Sequence, residues 1–336
     1  MMRTDRHVLK RTEIDYTFIV ISYNQETVIV QTLESIKYQI ETYGKNYQIQ
    51  LILGDDASTD KTTYVIDQWL MQNNHLFVEI DRLYLKENGG TCRNYVNCIR
   101  NIMGKSFREI AGDDILPENN IFVIMDMTEK YDIVAAPHFY FSQGKILKQH
   151  AIYRNVFRQG IFSVRQIRIL TNMYCPILNG AVWKKELMTE DVLQYISKYT
   201  LIEDRPQWYK IFLDNKDLTY LFYDDVSFLY RREAGSVTHS ENQVKVIYEN
   251  DIKNIYRDID EQSNSFFIKL MLRWNKKTKV CNPLTLWIKL MTLINYSKIK
   301  KKYNYIMKMQ YDKNQNHLEY IMKISKAFMR DIGYNE

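Results

Sequence analysis

Short apolar runs alternate with amphipathic segments along the first hundred residues. Three runs combine β-branched and aliphatic residues and end at polar turns: TFIVIS (17–22), QIQLILG (48–54) and FVEIDRLYL (77–85). Such runs predict buried strands. Because each is followed by a short loop and a segment with helical spacing, the pattern predicts a parallel sheet with right-handed crossovers.

The intervening segments have the spacing of helices. Over residues 26–43 the apolar residues that recur at this spacing are Val28, Leu33, Ile36 and Ile40. Ser58 or Thr59 is suited to cap a second helix, since a short hydroxyl side chain accepts a backbone N–H at a helix start. Gly89-Gly90 opens a third helix. Strand and helix therefore alternate through this part of the chain.

The pattern changes after residue 100. FREIAGDDIL (107–116) predicts a strand that runs into an acidic turn, and YDIVAAPHFYF (131–141) predicts another strand. Further strands are expected near 178–183 and 219–230. A charged helical region begins at about residue 241 and continues to the end.

Length and composition fit one large domain with an appendage. We expect an α/β domain over residues 1–240 and a helical, basic segment over 241–336. No apolar run reaches the roughly 18 residues of a membrane-spanning helix. The charged N-terminus lacks the apolar core of a signal peptide, and the four scattered cysteines lack metal-ligand spacing. A cytoplasmic location is therefore expected.

The basic charge is concentrated in the C-terminal segment. Residues 261–336 contain 15 Lys and Arg against 5 Asp and Glu, whereas the preceding residues contain 31 against 35. From 262 to 311 there are 11 Lys and Arg and no acidic residue, and aromatic residues lie between them. This pattern predicts contact with an anionic membrane surface. A helical subdomain packed on the first domain is a compatible alternative, and RNA binding is a third.

Polar clusters follow three of the predicted strands: Tyr23 to Glu26, Asp55-Asp56 and Asp113-Asp114. In an open parallel sheet, ligands collect at the carboxyl ends of the strands. Carboxylates brought together there repel one another unless a cation or hydrogen-bond donors offset them. A divalent cation that carries a diphosphate suits such a site. The alternative is that each Asp merely caps the helix or turn that follows it.

Five motifs in order resemble the family 2 glycosyltransferases. They are VISYNQE (20–26), LGDDASTD (53–60), ENGGTCRNYVNCI (87–99), AGDDILPE (111–118) and IEDRPQW (202–208). The resemblance covers about residues 15–235 and is greatest to bacterial enzymes that build capsule and other surface polysaccharides. It implies a GT-A (Rossmann-like) nucleotide-diphospho-sugar transferase fold over 1–240, inversion of the anomeric centre, and a mostly helical C-terminal extension.

The resemblance also implies a nucleotide pocket. Tyr23, Asn24 and Glu26 match residues that line it. Asp55 and Asp56 match the aspartates that face the ribose and the base, with Asp56 the expected partner of a uracil N–H. Asp60, by contrast, is expected to fix its own turn.

Around the diphosphate, Arg93 matches a basic position suited to charge-assisted bonding. Asp113 matches the aspartate that contacts a Mn²⁺ or Mg²⁺ ion, and Asp114 follows it as a further donor-binding candidate. Many members carry Asp-x-Asp-Asp, whereas Ala111 stands here in place of the first Asp. In related enzymes a late loop closes near the diphosphate, so Arg231 and His239 are candidates for the leaving group or the metal. An incidental histidine is the alternative.

The pair Glu203-Asp204 matches the family's ED motif, whose Asp takes the proton from the acceptor hydroxyl. Asp204 is therefore the expected base, and Glu203 its catalytic neighbour. A surface ion pair between Asp204 and Arg205 is the alternative. Trp208 is suited either to stacking on an acceptor sugar or to the core.

These expectations combine into an inverting transfer of a hexose from a UDP-sugar to a polyprenyl-diphosphate-linked saccharide, at the inner face of the cell membrane. A dTDP-sugar is a less favoured donor. A non-catalytic nucleotide-binding scaffold that acts through the basic tail is the first alternative. An NAD-dependent oxidoreductase is disfavoured, because YNQE stands after the first strand where G-x-G-x-x-G would be needed. The near-neutral first 260 residues argue against a nucleic-acid partner.

Overall fold

A computed structural model describes residues 13–149, 153, 156–157, 159–171, 180–232, 243–277 and 283–334. Its strands are β1 Tyr16–Ser22, β2 Ile49–Asp55, β3 Glu79–Tyr84, β4 Ser106–Ala111, β5 Ile133–Ala135, β6 Phe139–Ser142, β7 Lys145–Ile146, β8 Val182–Lys184, β9 Tyr220–Phe222 and β10 Leu229–Arg231. Seven of them form one sheet in the order β3-β2-β1-β4-β8-β5-β9, in which β8 alone is antiparallel to its neighbours. The sheet is therefore predominantly parallel, as predicted.

The α-helices of the described residues cover both faces of this sheet. They are α1 Ile29–Gln39, α2 Thr62–Asn73, α3 Thr91–Ile99, α4 Phe122–Asp126, α5 Val164–Thr171, α6 Glu190–Ile196, α7 Asp204–Asp214, α8 Gln243–Gln262, α9 Phe266–Lys277, α10 Pro283–Ile294 and α11 Tyr296–Asp331. Within the described part of the chain, no helix combines the length and apolarity needed to cross a membrane.

Two predicted strands are each divided in the structure. The strand expected at 131–141 breaks between β5 and β6 at Pro137, which has no N–H to donate to a sheet. The strand expected at 219–230 likewise becomes β9 and β10. β10 leaves the large sheet and joins β6 and β7 in a small sheet of three strands. This second sheet lies beside the acidic turn after β4.

The expected cap of α2 by Ser58 or Thr59 is wrong. The helix begins at Thr62, and the Ser58 hydroxyl instead donates to Asp55 (2.6 Å). Asp60 fixes this turn, as predicted, because its Oδ1 accepts the Thr62 N–H at 2.9 Å. The β2–α2 loop is thus longer than the pattern indicated, and its polar side chains hold the loop itself.

Alternating side chains of β1 pack into two different hydrophobic cores. Phe18 packs with residues of α1 and α2, whereas Ile19 packs with residues of α3 and α7, and both are fully buried. Strands buried on both faces read as continuous apolar runs, which is the pattern seen in TFIVIS. A third core joins the small sheet to α11 through Phe139, Leu229 and Ile306.

Gly54 provides a test of the packing of α3 on β2. An alanine Cβ at this position would lie 2.3 Å from the Cys98 Sγ and 2.7 Å from the Asn94 Oδ1. Overpacking of this kind costs about 1–3 kcal/mol. We expect Gly54→Ala to lower the melting temperature, and Gly54→Ala/Cys98→Ala to be less destabilised than the sum of the single variants. Strict additivity in thermal unfolding would contradict the close contact.

Candidate active site

The loops after β1 and β2 interlock at the carboxyl edge of the sheet. Asn24 has a left-handed backbone (φ 51°), its N–H donates to the Ser58 Oγ at 2.8 Å, and its Oδ1 accepts the Thr59 N–H at 2.8 Å. The Glu26 carboxylate accepts the Lys61 N–H at 2.7 Å. Asn24 and Glu26 therefore shape this edge from within the loops.

Tyr23 differs from its neighbours, because it is 45% exposed and presents its ring at this edge.

Asp55 and Asp56 are almost fully buried. The Asp55 carboxylate accepts the Ser22 hydroxyl (2.9 Å) and the Ser58 N–H (2.7 Å). The Asp56 carboxylate accepts the N–H groups of Gly89 (2.8 Å) and Gly90 (2.9 Å), and burial raises its pKa above the ordinary value. Asp55 thus caps the turn that follows it, which is the capping alternative, whereas Asp56 holds the distant Gly89-Gly90 turn. Contacts of the two aspartates with ribose and base stay predictions.

Arg93 lies in the first turn of α3, and its side chain is 56% exposed. Its ion pair with Glu87 spans 3.8 Å at an equally open site. Exposed pairs of this kind contribute little free energy, so Arg93 can exchange Glu87 for a phosphate at small cost. The Arg93 charge lies close enough to Asp56 to act on that carboxyl, and its side chain adjoins Gly89 of the turn that Asp56 holds.

The acidic turn begins where β4 ends. The Gly112 N–H donates to the Ile21 carbonyl at 2.8 Å, and the Asp114 N–H donates to the Ala111 carbonyl at 3.0 Å. A Cβ on Gly112 would lie 2.2 Å from the Gln25 Oε1 and 2.7 Å from the Ile29 Cδ1, so a larger residue here would require these two side chains to move. Asp113 is half-buried at the tip of the turn.

Arg231 fastens this turn to β10. Its N–H donates to the Asp114 Oδ1 at 2.9 Å and its Nε donates to the Asp113 carbonyl at 2.8 Å. Its guanidinium also donates to Gln31 at 2.7 Å and lies 4.6 Å from the Phe141 ring centre. Burial and the Asp113 charge raise the pKa of Asp114, and Arg231 partly offsets this effect. Arg231 is thus a structural clamp, and its contact with a leaving group stays a prediction.

Glu203 and Asp204 lie where α7 begins. The Asp204 Oδ1 accepts the Arg205 N–H at 2.6 Å. Burial raises the pKa of Asp204, and this effect exceeds the opposite effect of the Arg205 charge. Burial, followed by the charges of Glu109 and Asp204, raises the pKa of Glu203 well above its ordinary value. The environment therefore favours a carboxylate that accepts protons readily.

Glu109 on β4 is a member of this acidic group that the motifs did not reveal. Burial, and then the charge of Asp204, raise the pKa of Glu109 to about 8. One signal was available, namely an acidic residue within the predicted strand FREIA, next to Arg108. Side chains two positions apart share one face of a strand, so Glu109 lies on the same face as Ala111. Glu109 thus lies two residues before Ala111, the position at which many family members carry an Asp.

Tyr230 lies between the acidic turn and the start of α7. Its phenol has a raised pKa because of burial, followed by the charges of Asp114, Asp113 and, less strongly, Asp204. Both acidic groups therefore lie near Tyr230 at the edge of the sheet, and we call this region the candidate cleft.

Trp208 and His239 are two further residues that the sequence singled out. Trp208 is 2% exposed and packs 4.8 Å from the Trp183 ring centre, so the core alternative is confirmed and stacking on a sugar is wrong. A large aromatic ring next to the ED motif is needed there to bury α7 against β8. His239 lies outside the described residues.

The donor set of the acidic turn suits a hard cation that arrives with its substrate. The described residues contain no group of three or more His, Cys, Asp or Glu that could by itself hold a metal ion. Mg²⁺ and Mn²⁺ are commonly bound through one or two carboxylates together with phosphate oxygens and water. Asp113 fits this requirement as a single half-buried carboxylate at the cleft.

The Glu109 carboxyl provides a test with a definite sign. Its pKa is about 8 in the folded chain against an ordinary value of 4.5. The folded state therefore binds the proton more tightly, and stability falls as pH rises from about 4.5 to about 8. We expect Glu109→Gln to match the wild type near pH 5 and to melt several degrees higher near pH 8. Glu87→Gln, at an exposed carboxyl, is the control, and a pH-independent difference for Glu109→Gln would refute the assignment.

Comparison with known proteins shows which family this chain resembles. The family model "Glycosyl transferase family 2" matches residues 17–190, which is more than half of the chain. The relative glycosyltransferase GlyG of Streptococcus pneumoniae serotype 4 is 26% identical over 238 residues, 66% of this chain and 72% of GlyG.

Two solved structures share the fold. S. aureus TarS 1–349 in complex with UDP has a TM-score of 0.55 at 13% identity, over 87% of this chain and 92% of TarS 1–349. The mannosyltransferase PcManGT from Pyrobaculum calidifontis, in complex with GDP-Man and Mn²⁺, has a TM-score of 0.53 at 14% identity, over 94% and 86%. The expected GT-A architecture is confirmed. The chain belongs to glycosyl transferase family 2 and is a glycosyltransferase.

Proposed function

We propose that this protein transfers a hexose from a UDP-sugar, with inversion, to a saccharide carried on polyprenyl diphosphate in the synthesis of a bacterial surface polysaccharide. The observation that carries the proposal is the Asp204 carboxylate. Burial raises its pKa, and its charge acts on the Tyr230 phenol together with the charges of Asp113 and Asp114, which suits a base near a diphosphate site. TarS has been solved in complex with UDP and UDP-GlcNAc, which supports a UDP-sugar donor.

In the proposed reaction Asp204 takes the proton of the acceptor hydroxyl as that oxygen attacks the anomeric carbon. Burial and the Asp204 charge raise the pKa of Glu109 to about 8. Burial and the charges of Glu109 and Asp204 raise the pKa of Glu203 well above its ordinary value, so both carboxyls hold protons more tightly than free ones do. Asp204 lies at the N-terminus of α7, where backbone N–H groups stabilise the ionised form.

On the donor side, Asp113 is the proposed ligand of Mn²⁺ or Mg²⁺. When bound, such an ion would neutralise negative charge on the departing diphosphate. Arg93 would donate to the phosphates from the first turn of α3, while Asp114 and Arg231 keep the turn in place. His239 stays a candidate for the same group.

The contacts of the predicted nucleotide-pocket residues suggest different roles for them. Asn24, Glu26 and Asp55 form the pocket wall by holding the two loops together. Asp56 would offer an acceptor to the uracil N–H from its position against Gly89 and Gly90, and the exposed Tyr23 ring would cover the base.

We further propose a peripheral position on the cytoplasmic face of the membrane. Helices α9 and α10 are apolar on two sides. Their inner residues, including Leu272 and Ile288, are buried in the main core. Their outer residues are large, apolar and 42–81% exposed: Phe266, Phe267, Leu270, Trp274, Leu286, Leu290, Leu293 and Ile294. We call these eight side chains the outer face.

The charges near the outer face indicate what this surface would bind. From residue 262 to 311 there is no acidic side chain, and exposed lysines such as Lys298, Lys300 and Lys301 follow α10 directly. Apolar side chains next to lysines match an anionic bilayer, in which the former enter the acyl boundary and the latter meet the head groups. A lipid-linked acceptor would be held at the same surface.

The role of Asp204 predicts a selective loss. Asp204→Asn should reduce transfer by about 100-fold or more, the usual contribution of a positioned base, while UDP binding in the presence of Mn²⁺ is kept. Asp214→Asn at the other end of α7 is the matched control and should leave transfer unchanged. Transfer is measured with a panel of UDP-sugars and a lipid-linked acceptor extract. Wild-type binding of UDP without transfer or hydrolysis of any donor would favour the scaffold alternative.

The outer face predicts lipid-dependent binding. Phe266→Glu/Leu290→Glu should lower co-sedimentation with phosphatidylglycerol vesicles by about tenfold or more, because two apolar contacts are lost and two negative charges are added. Met71→Glu/Leu213→Glu is the matched control, since both residues are exposed but lie on α2 and α7. A double variant that stays bound, or one that changes only from dimer to monomer in size-exclusion chromatography, would refute the membrane assignment.

A further inference from the structure

The buried polar residues of α11 include three that follow one another on its inner side and form a polar stripe. Gln310, Asn314 and His317 recur at helical spacing and are at most 5% exposed. Buried polar side chains are costly unless they are hydrogen-bonded, so their partners show what this stripe holds.

Asn314 and His317 bind the segment that follows the acidic turn. The Asn314 Oδ1 accepts the Glu118 N–H at 3.0 Å, and its Nδ2 donates to the Asn119 Oδ1 at 2.9 Å. A His317 ring nitrogen lies 3.1 Å from the Leu116 carbonyl. The backbone from two to five residues beyond Asp114 is thus bound to α11.

Gln310 joins this segment to a second one. Its Oε1 accepts the Asn119 Nδ2 and the Val226 N–H, both at 3.0 Å, and its Nε2 donates to the Asp225 Oδ1 at 2.6 Å. Asp225 and Val226 precede β10, the strand that carries Arg231. One buried amide therefore connects the two segments that meet at the active-site cleft.

These contacts close a ring. At the end away from α11, the two segments pair through Ile115 and Leu229 (N–H to O 3.1 and 2.7 Å) and through the Arg231 N–H and the Asp114 Oδ1 (2.9 Å). At the other end Gln310 binds both. The geometry of the acidic turn therefore depends on a residue about two hundred positions further along the chain.

We infer that Gln310 is a positioning residue for the acidic turn, and that α11 is part of the catalytic unit for this reason. The inference rests on the proposed function of that turn in gripping the donor diphosphate. Loss of the Gln310 amide would leave the Val226 N–H and the Asp225 carboxylate without this partner. The approach of β10 would then loosen, and with it the clamp of Arg231 on Asp113 and Asp114.

The test compares two glutamines of the same helix. Gln310→Leu removes the ring contact. Gln315→Leu is the matched control, because Gln315 also makes two backbone hydrogen bonds at 2.9 Å, with Gly144 and Ile146, but these lie at the β6–β7 hairpin. Gln310→Met, closer in shape, replaces the first variant if that one does not fold.

Hydrogen exchange without any ligand is the first measurement. We expect amides of Ile115, Leu229 and Arg231 to exchange about tenfold faster in Gln310→Leu and to be unchanged in Gln315→Leu. Calorimetric titration with UDP and Mn²⁺ is the second, with about tenfold weaker binding for Gln310→Leu alone.

Equal effects of the two substitutions on both measurements, or none from Gln310→Leu, would overturn the inference. Failure of the wild type to bind UDP would instead count against the proposed function, since the exchange measurement tests the ring independently of any nucleotide.

Discussion

The active-site edge depends on the clamp of Arg231 on the acidic turn. Because Asp113 and Asp114 are adjacent and Asp114 is buried, their mutual repulsion would open the turn without an opposing group. Arg231 supplies two hydrogen bonds and a charge from β10, while the hydrogen bond from the Gly112 N–H to the Ile21 carbonyl holds the turn from the other side. A buried charge that is paired and hydrogen-bonded is expensive to disturb, so the turn is held rigid before any donor arrives.

The remaining carboxylates divide into two groups according to their hydrogen bonds. Asp55 and Asp56 accept backbone and hydroxyl donors of their own loops, and they therefore stabilise the edge of the sheet. Glu109, Glu203 and Asp204 form the second group, and burial raises the pKa of each. In the proposed function, the first group would build the donor pocket and the second would supply the acid–base chemistry on the acceptor side.

The C-terminal helices serve the same edge in two ways. The polar stripe of α11 binds the segments on either side of the clamp, and α9 and α10 present apolar side chains outward above the core that they help to bury. Apolar exposure of this extent on consecutive helices is uncommon for a protein surface that meets only water. The proposed membrane surface and the proposed catalytic turn are therefore connected through α10 and α11, which follow each other directly in the chain.

Local sequence determined the parallel sheet, the order of the motifs and the acidic turn, because strand and helix periodicity and turn chemistry are encoded over a few residues. Glu109 and Gln310 were beyond its reach, since their importance comes from partners far away in the chain. The same holds for Trp208, whose ring became core only through Trp183. Burial and long-range hydrogen bonding are properties of the folded chain, and they alone decided which polar residues hold the structure and which face the cleft.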